Sequence, residues 1–167
     1  EGDTQEVGEV HRLPNGPVWM NGHFYWEFPR LFHEMKQGLK KAARLDVEIA
    51  GIGIDTWGVD YGYLDEEGRL ISNPFCYRDP KNAGAMAEMD QKWDFAECYR
   101  IAGIQKLDFN TMYQLYYDVT HRKYIVDAAK YILFMPDLFA YFLTGMTGCS
   151  YAMACTGPLV DAEYGTV

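Results

Sequence analysis

The chain has no uninterrupted apolar run of the roughly 20 residues that a membrane-spanning helix needs. Its best stretch, Tyr131 to Leu143, is broken by Pro136 and Asp137. The opening residues, Glu-Gly-Asp-Thr-Gln-Glu, are acidic and polar, unlike a signal peptide. Basic charge is scarce: 15 Lys+Arg stand against 24 Asp+Glu in 167 residues, a formal net charge of −9. Binding nucleic acid or an anionic membrane takes basic patches that neutralise phosphate, so that balance argues against both partners. The four cysteines, Cys76, Cys98, Cys149 and Cys155, form no Cys-x-x-Cys pair, and His11, His23, His33 and His121 lack metal spacing. Reduced thiols in a cytoplasmic protein, and no metal site, are therefore expected. Gly-x-x-x-x-Gly-Lys-Ser/Thr and Gly-x-Ser-x-Gly are both missing, and Gly51-Ile-Gly-Ile-Asp55 lacks the third glycine of a dinucleotide fingerprint.

With 49% hydrophobic and 23% charged residues, the composition is that of a soluble globular chain, and the length suits one domain. Aromatics reach 16%, which serves a core but also supplies flat walls for sugars and bases. Between Glu6 and Phe28, turn signals at Pro14-Asn15-Gly16 and Asn21-Gly22 separate short apolar runs and predict antiparallel strands. Leu31, Met35, Leu39 and Ala43 recur every four residues with Lys36, Lys40, Lys41 and Arg44 between them, which predicts an amphipathic helix of about four turns. Val47 to Ile54 is short, apolar and rich in Val and Ile, and reads as a strand buried on both faces of a parallel sheet. Val59, Tyr61 and Tyr63 alternate with other residues up to a turn at Asp65-Glu66-Glu67-Gly68, and Arg69 to Ile71 is the expected return strand. From Ala83 onward the pattern is mostly helical, with breaks at Gly103 and before Pro136 and a C-terminal signal at Thr144-Gly145. The order points to α/β or α+β.

Chemistry is best placed where the Val47 to Ile54 run meets Asp55, Thr56, Trp57, Gly58 and Asp60. In open α/β sheets, ligands bind in the crevice beyond the carboxyl ends of strands. There Gly58 lets a ligand approach the backbone, Trp57 offers an apolar face to C–H groups, and Asp55 and Asp60 accept from hydroxyls. The same residues also fit a strand end with a packed Trp and two capping carboxylates. Arg78 and Asp79 suit either fixing a polar ligand or a local ion pair. Asn110 stands at the N-cap of a helical run in which Met112, Leu115 and Tyr116 form a core stripe, leaving Gln114 as a ligand candidate.

Five motifs then occur in order: Gly53-Ile-Asp-Thr-Trp-Gly-Val-Asp60, Tyr77-Arg-Asp79, Ala102-Gly-Ile-Gln105, Phe109-Asn-Thr-Met-Tyr-Gln-Leu115, and Met135-Pro-Asp137 through Gly145. From Val10 to Gly145 the chain resembles the FGGY carbohydrate kinases, and within them the rhamnulokinase branch. The resemblance implies an actin-like, ribonuclease-H-like α/β fold in which two domains clamp ATP and sugar. The activity implied is transfer of the ATP γ-phosphate, with magnesium, to the 1-hydroxyl of L-rhamnulose. Kinases of fuculose or xylulose, and a non-catalytic sugar- or partner-binding module, are the alternatives. Gly58 matches the family's sugar-contacting glycine, Trp57, Asp60 and Asp55 accompany it, and Arg78, Asp79, Asn110 and Gln114 form a possible outer ring. Residues 1–167 then correspond to part of the N-terminal domain, without the first strand, its Asp-x-Gly phosphate turn or the ATP-binding domain. The general base, in a His-Asp-Thr motif, is expected beyond Val167, so this piece alone is expected to bind no cofactor and to be inactive. Strands near Val7 and Ile54 would flank the missing strand, and their open edges would invite self-association. Met153 and Pro158 stand where the family carries Asn and Gln, exchanging hydrogen-bonding groups for apolar ones at the expected sugar side.

Overall fold

The computed structural model describes residues 7–165. The first regular structure is a hairpin of β1 (Val18–Met20) and β2 (His23–Tyr25), joined by Asn21-Gly22. Both turn residues have positive φ, 52° and 81°, the turn whose twist suits a two-residue hairpin and which Asn-Gly favours. Beyond β2, the Trp26 N–H donates to Pro74 O and the Cys76 N–H to Phe24 O, so the Pro74 to Cys76 run lies alongside the hairpin as a third extended segment. Helix α1 (Phe28–Ala42) follows, with Pro29 in its first turn and Lys40 and Lys41 in its last, where cations complement the carbonyl end. It buries Phe28 and Leu31.

β3 (Tyr61–Leu64) pairs antiparallel with β4 (Tyr131–Phe134), Tyr61 opposite Phe134 and Leu64 opposite Tyr131. The expected turn at residues 65–68 and the return at Leu70 are present, with a Leu64–Leu70 bridge and an Ile71 N–H to Tyr63 O bond. Helices α2 (Lys81–Asp90), α3 (Phe95–Ala102), α4 (Thr111–His121) and α5 (Lys123–Ala128) lie between β3 and β4. α6 (Met135–Thr144) and the single turn α7 (Tyr151–Ala154) complete the order. α3 and α6 stop at Gly103 and Gly145, both left-handed, as the sequence signals predicted. The central apolar cluster joins Phe28 and Leu31 of α1 to Leu64, Leu133, Met135, Leu138 and Phe139.

Three expectations are corrected. Residues 7–17 form no strand, and residues 46–57 form none either. Val47, Ile49 and Ile52 are 64, 49 and 61% exposed rather than buried. An extended run becomes a strand only when neighbouring backbone takes its N–H and C=O groups. This run pairs with no described strand, although Ile54 and Trp57 pack on the central cluster. The two open strand edges expected to flank a gap are thus not formed, and every strand pairing among the described residues is antiparallel. The third correction is β4, which hid inside an apolar run read as helical approach to Pro136.

Candidate functional site

Read backwards from β3, the chain passes through Asp60 to Val59 and Gly58, and the latter two wall a cavity of about 750 Å³. Trp57, Tyr77, Phe109, Asn110 and Thr156 line it as well, together with residues between Gly103 and Leu107. Two aromatic rings, an indole and a few polar atoms give the mostly apolar lining with sparse polar groups typical of small-ligand sites.

Val59 is the most unusual residue of the wall. Its φ is +66°, a left-handed conformation that β-branched side chains avoid. The Asp60 N–H donates to Gly58 O across it at 2.9 Å, closing a three-residue γ-turn of the rare hand. Such a conformation costs about 1–3 kcal/mol and persists only where the surroundings enforce it. Here two threonines do so. The Val59 N–H donates to Thr156 Oγ1 (3.2 Å), Thr111 Oγ1 donates to Val59 O (2.9 Å), and Thr156 Oγ1 donates onward to Met153 O (2.7 Å). The segments cross closely: a Cβ on Gly157 would stand 2.5 Å from Thr111 Oγ1, and one on Gly58 would stand 3.0 Å from Thr156 Cγ2 and Oγ1. The space that the sequence reading reserved for ligand beside Gly58 is therefore partly filled by Thr156.

Beneath the wall lies Asp60, wholly buried. Its Oδ2 accepts from Trp26 Nε1 (2.6 Å), Trp57 Nε1 (3.0 Å) and the Tyr77 N–H (3.0 Å), and its Oδ1 accepts from Gln114 Nε2 (3.0 Å). Burial pushes the carboxyl above the usual carboxylate range, and the four donors pull it partly back. Every partner is a donor, which suits an ionised carboxylate, an acceptor only. Trp26 packs on Trp57 with ring centroids 4.3 Å apart, so one carboxylate orients the indole in the wall and the indole behind it.

The structure brings together Gly58, Trp57, Asn110, Gln114 and Asp60, the first three on the cavity and the last two directly behind it. It places the others elsewhere. Asp55 is exposed and lines a second cavity, of about 680 Å³, with Asp137. Arg78 is exposed, its guanidinium 5.3 Å from the Tyr77 ring centre. Asp79 is buried and anchors the hairpin, accepting from the Phe24 N–H and the Lys81 N–H (2.9 Å) and pairing with His23 Nδ1 at 3.1 Å. It forms no ion pair with Arg78 among the described residues. Met153 lines the second cavity and Pro158 a groove beside Trp93, so neither departure from the family pattern borders the larger cavity. Thr111, Thr156 and Tyr77 were not singled out from sequence. Tyr77 and Thr111 lie inside motifs of the family, and Thr156 lies in the run between Met153 and Pro158 that departs from the family's pattern.

Three comparisons place these observations. Residues 12–165 match the N-terminal domain of the FGGY family of carbohydrate kinases. A rhamnulokinase of Bacteroides thetaiotaomicron is 40% identical over 157 residues, 93% of this chain and 32% of that protein. A rhamnulokinase of Klebsiella pneumoniae is 39% identical over 153 residues, 92% of this chain and 31% of that protein. The chain thus spans about a third of the length of the curated relatives it matches. Among solved structures, a xylulose kinase from Rhodospirillum rubrum superposes with a TM-score of 0.82 at 18% identity, over 93% of this chain and 33% of that one. A gluconate kinase from Lactobacillus acidophilus does so at 0.82 and 14%, over 91% and 31%. At such identities these structures speak for the fold, the mixed α/β, actin-like architecture of sugar kinases. The chain belongs to the FGGY family of carbohydrate kinases.

Proposed function

We propose that the full-length protein carrying this chain is an ATP-dependent sugar kinase that phosphorylates the 1-hydroxyl of L-rhamnulose. The observation that carries this reading is the roughly 40% identity to rhamnulokinases across a segment containing the whole Trp57–Gly58 cavity, set against 14–18% for the xylulose and gluconate kinases of like fold. In this proposal residues 1–167 are part of the N-terminal, sugar-side domain. Trp57 and Phe109 pack against the C–H faces of the sugar, the Gly58–Val59 backbone sets how deep it sits, and Asp60 and Gln114 hold those walls. Asp55, Arg78 and Asp79 lie off the cavity and are given no contact with the sugar.

Phosphoryl transfer depends on positioning and on stabilising charge on the transferring group. This chain supplies the positioning of the acceptor. Among the described residues no group of three or more His, Cys, Asp or Glu could hold a metal ion. The general base is assigned to the rest of the protein. No helix of the described residues is long and apolar enough to cross a membrane, and the four cysteines are free.

The test is a panel of L-rhamnulose, fuculose, xylulose and gluconate on the full-length protein, with coupled ADP detection. L-Rhamnulose is expected to give the highest kcat/KM. A preference for another sugar would remove the named substrate and leave the kinase class intact.

A further inference from the structure

Asn110 is 1% exposed and borders the cavity beside Leu107. It is the residue before α4, where an Asn side chain ordinarily accepts from the helix's own first N–H groups. Here it makes no such cap. Its Oδ1 instead accepts from the Leu107 N–H at 2.7 Å, while its backbone carbonyl takes the Tyr113 N–H at 3.0 Å. A backbone N–H can only donate, so the side-chain oxygen must be the atom turned to Leu107, and this settles which way the amide lies. The –NH2 group is left pointing away from Leu107, and it has no partner among the described residues.

Asn110 is almost wholly buried, yet its unspent N–H donors are not shut off from solvent. The cavity they border is lined by rings and aliphatic groups with few other polar side chains, the exposed Gln105 and the Thr156 hydroxyl. Such a donor suits an acceptor oxygen. We propose that Asn110 is a substrate-binding residue that donates from Nδ2 to an oxygen of the sugar, and so helps decide which sugar is accepted. The inference rests on the sugar-kinase reading and deepens it. The ligand it implies is a neutral polyhydroxylated chain or ring, held by this donor on one side and by the Trp57 and Phe109 faces on others. Sugars that place a hydrogen where the acceptor oxygen belongs leave the amide unpaired and are rejected.

Asn110→Asp in the full-length protein tests this. The change keeps the size and the acceptor for Leu107, keeps a good N-cap residue, and replaces the donor with an acceptor. The sugar KM is expected to rise about tenfold or more with the ATP KM within about twofold, while the melting temperature falls, because the new carboxylate is buried with one donor. A structure of the wild-type protein with sugar is expected to show a sugar oxygen about 2.9 Å from Nδ2, a readout that needs no variant. An unchanged sugar KM, equal rises in both KM values, or a complex with no sugar atom near Nδ2 overturns the inference alone. A full-length protein inert toward every sugar overturns the kinase reading and this inference with it.

Discussion

Replacing Asp60 separates a buried carboxylate that builds the site from one that merely occupies it. Asp60→Ala removes the common acceptor of Trp26 Nε1, Trp57 Nε1, the Tyr77 N–H and Gln114 Nε2. Each buried donor left unpaired costs about 1–3 kcal/mol. Against that, the variant no longer keeps a charge out of water, the effect that raises this carboxyl. Gln114 also retains its bond to Phe109 O, at 3.1 Å. The net loss is expected to be about 3–5 kcal/mol, the range found on removing one partner of a buried charged group. Asp60→Asn should cost less, about 1–3 kcal/mol. Its oxygen can replace Oδ2 for three donors, but its –NH2 then meets the Gln114 amide, which must turn over to accept. Chemical denaturation measures both, and tryptophan emission reports separately on the two indoles that lose their acceptor. The expected order is wild type, then Asn, then Ala. An Asn variant as stable as wild type, or an Ala variant within about 1 kcal/mol of it, would refute the hub.

Four further outcomes are expected. Gly58→Ala should raise the sugar KM with little change for ATP, because the new Cβ meets Thr156 at 3.0 Å, and adding Thr156→Ser, which removes Cγ2, should recover part of the loss. Lys81 is 8% exposed, and burial lowers its ammonium to about 8 from 10.5, so the cost of keeping it charged is present below pH 8 and relieved between 8 and 10.5. Wild type should therefore gain on Lys81→Met by up to about 3 kcal/mol across that window, as read from denaturation at several pH values; a flat difference would contradict the assignment. The Tyr113 hydroxyl is buried without a partner among the described residues, so Tyr113→Phe should be neutral or stabilise by about 1 kcal/mol, and a loss above that would show that the hydroxyl is bonded. The isolated 167-residue chain, with Val47, Ile49 and Ile52 exposed on an unpaired extended run, should self-associate in light scattering, whereas a stable monomer would show the run is tolerated in water.

What the sequence disclosed depended on how local the controlling interactions are. The α1 helix, the Asn21-Gly22 hairpin and the Gly103 and Gly145 stops each rest on neighbours a few residues apart, and all were legible. The Val47 to Ile54 run has the composition of a buried strand, but a strand is defined by its partner, which composition does not encode. β4 was masked because Tyr131–Phe134 runs directly into α6, with no turn residue to mark the change. At the site, Gly58 and Trp57 were found as residue types that suit a ligand. Asp60 was expected on the cavity and lies behind it, because its four donors come from Trp26, Trp57, Tyr77 and Gln114. Thr156 stayed hidden for the same reason: its value lies in meeting Val59, 97 residues earlier.

The reach of Asp60 bears on when the cavity comes into being. Its bonds to Trp26, Tyr77 and Gln114 span 34, 17 and 54 residues, so no single stretch of nascent chain can assemble the wall. Each closure sacrifices chain entropy before any contact rewards it, which puts such junctions late in folding. A sugar seated on Trp57 would thus recognise only molecules in which all four segments have met. Binding would then protect the whole domain against proteases rather than one loop, making the substrate a sentinel for completed folding.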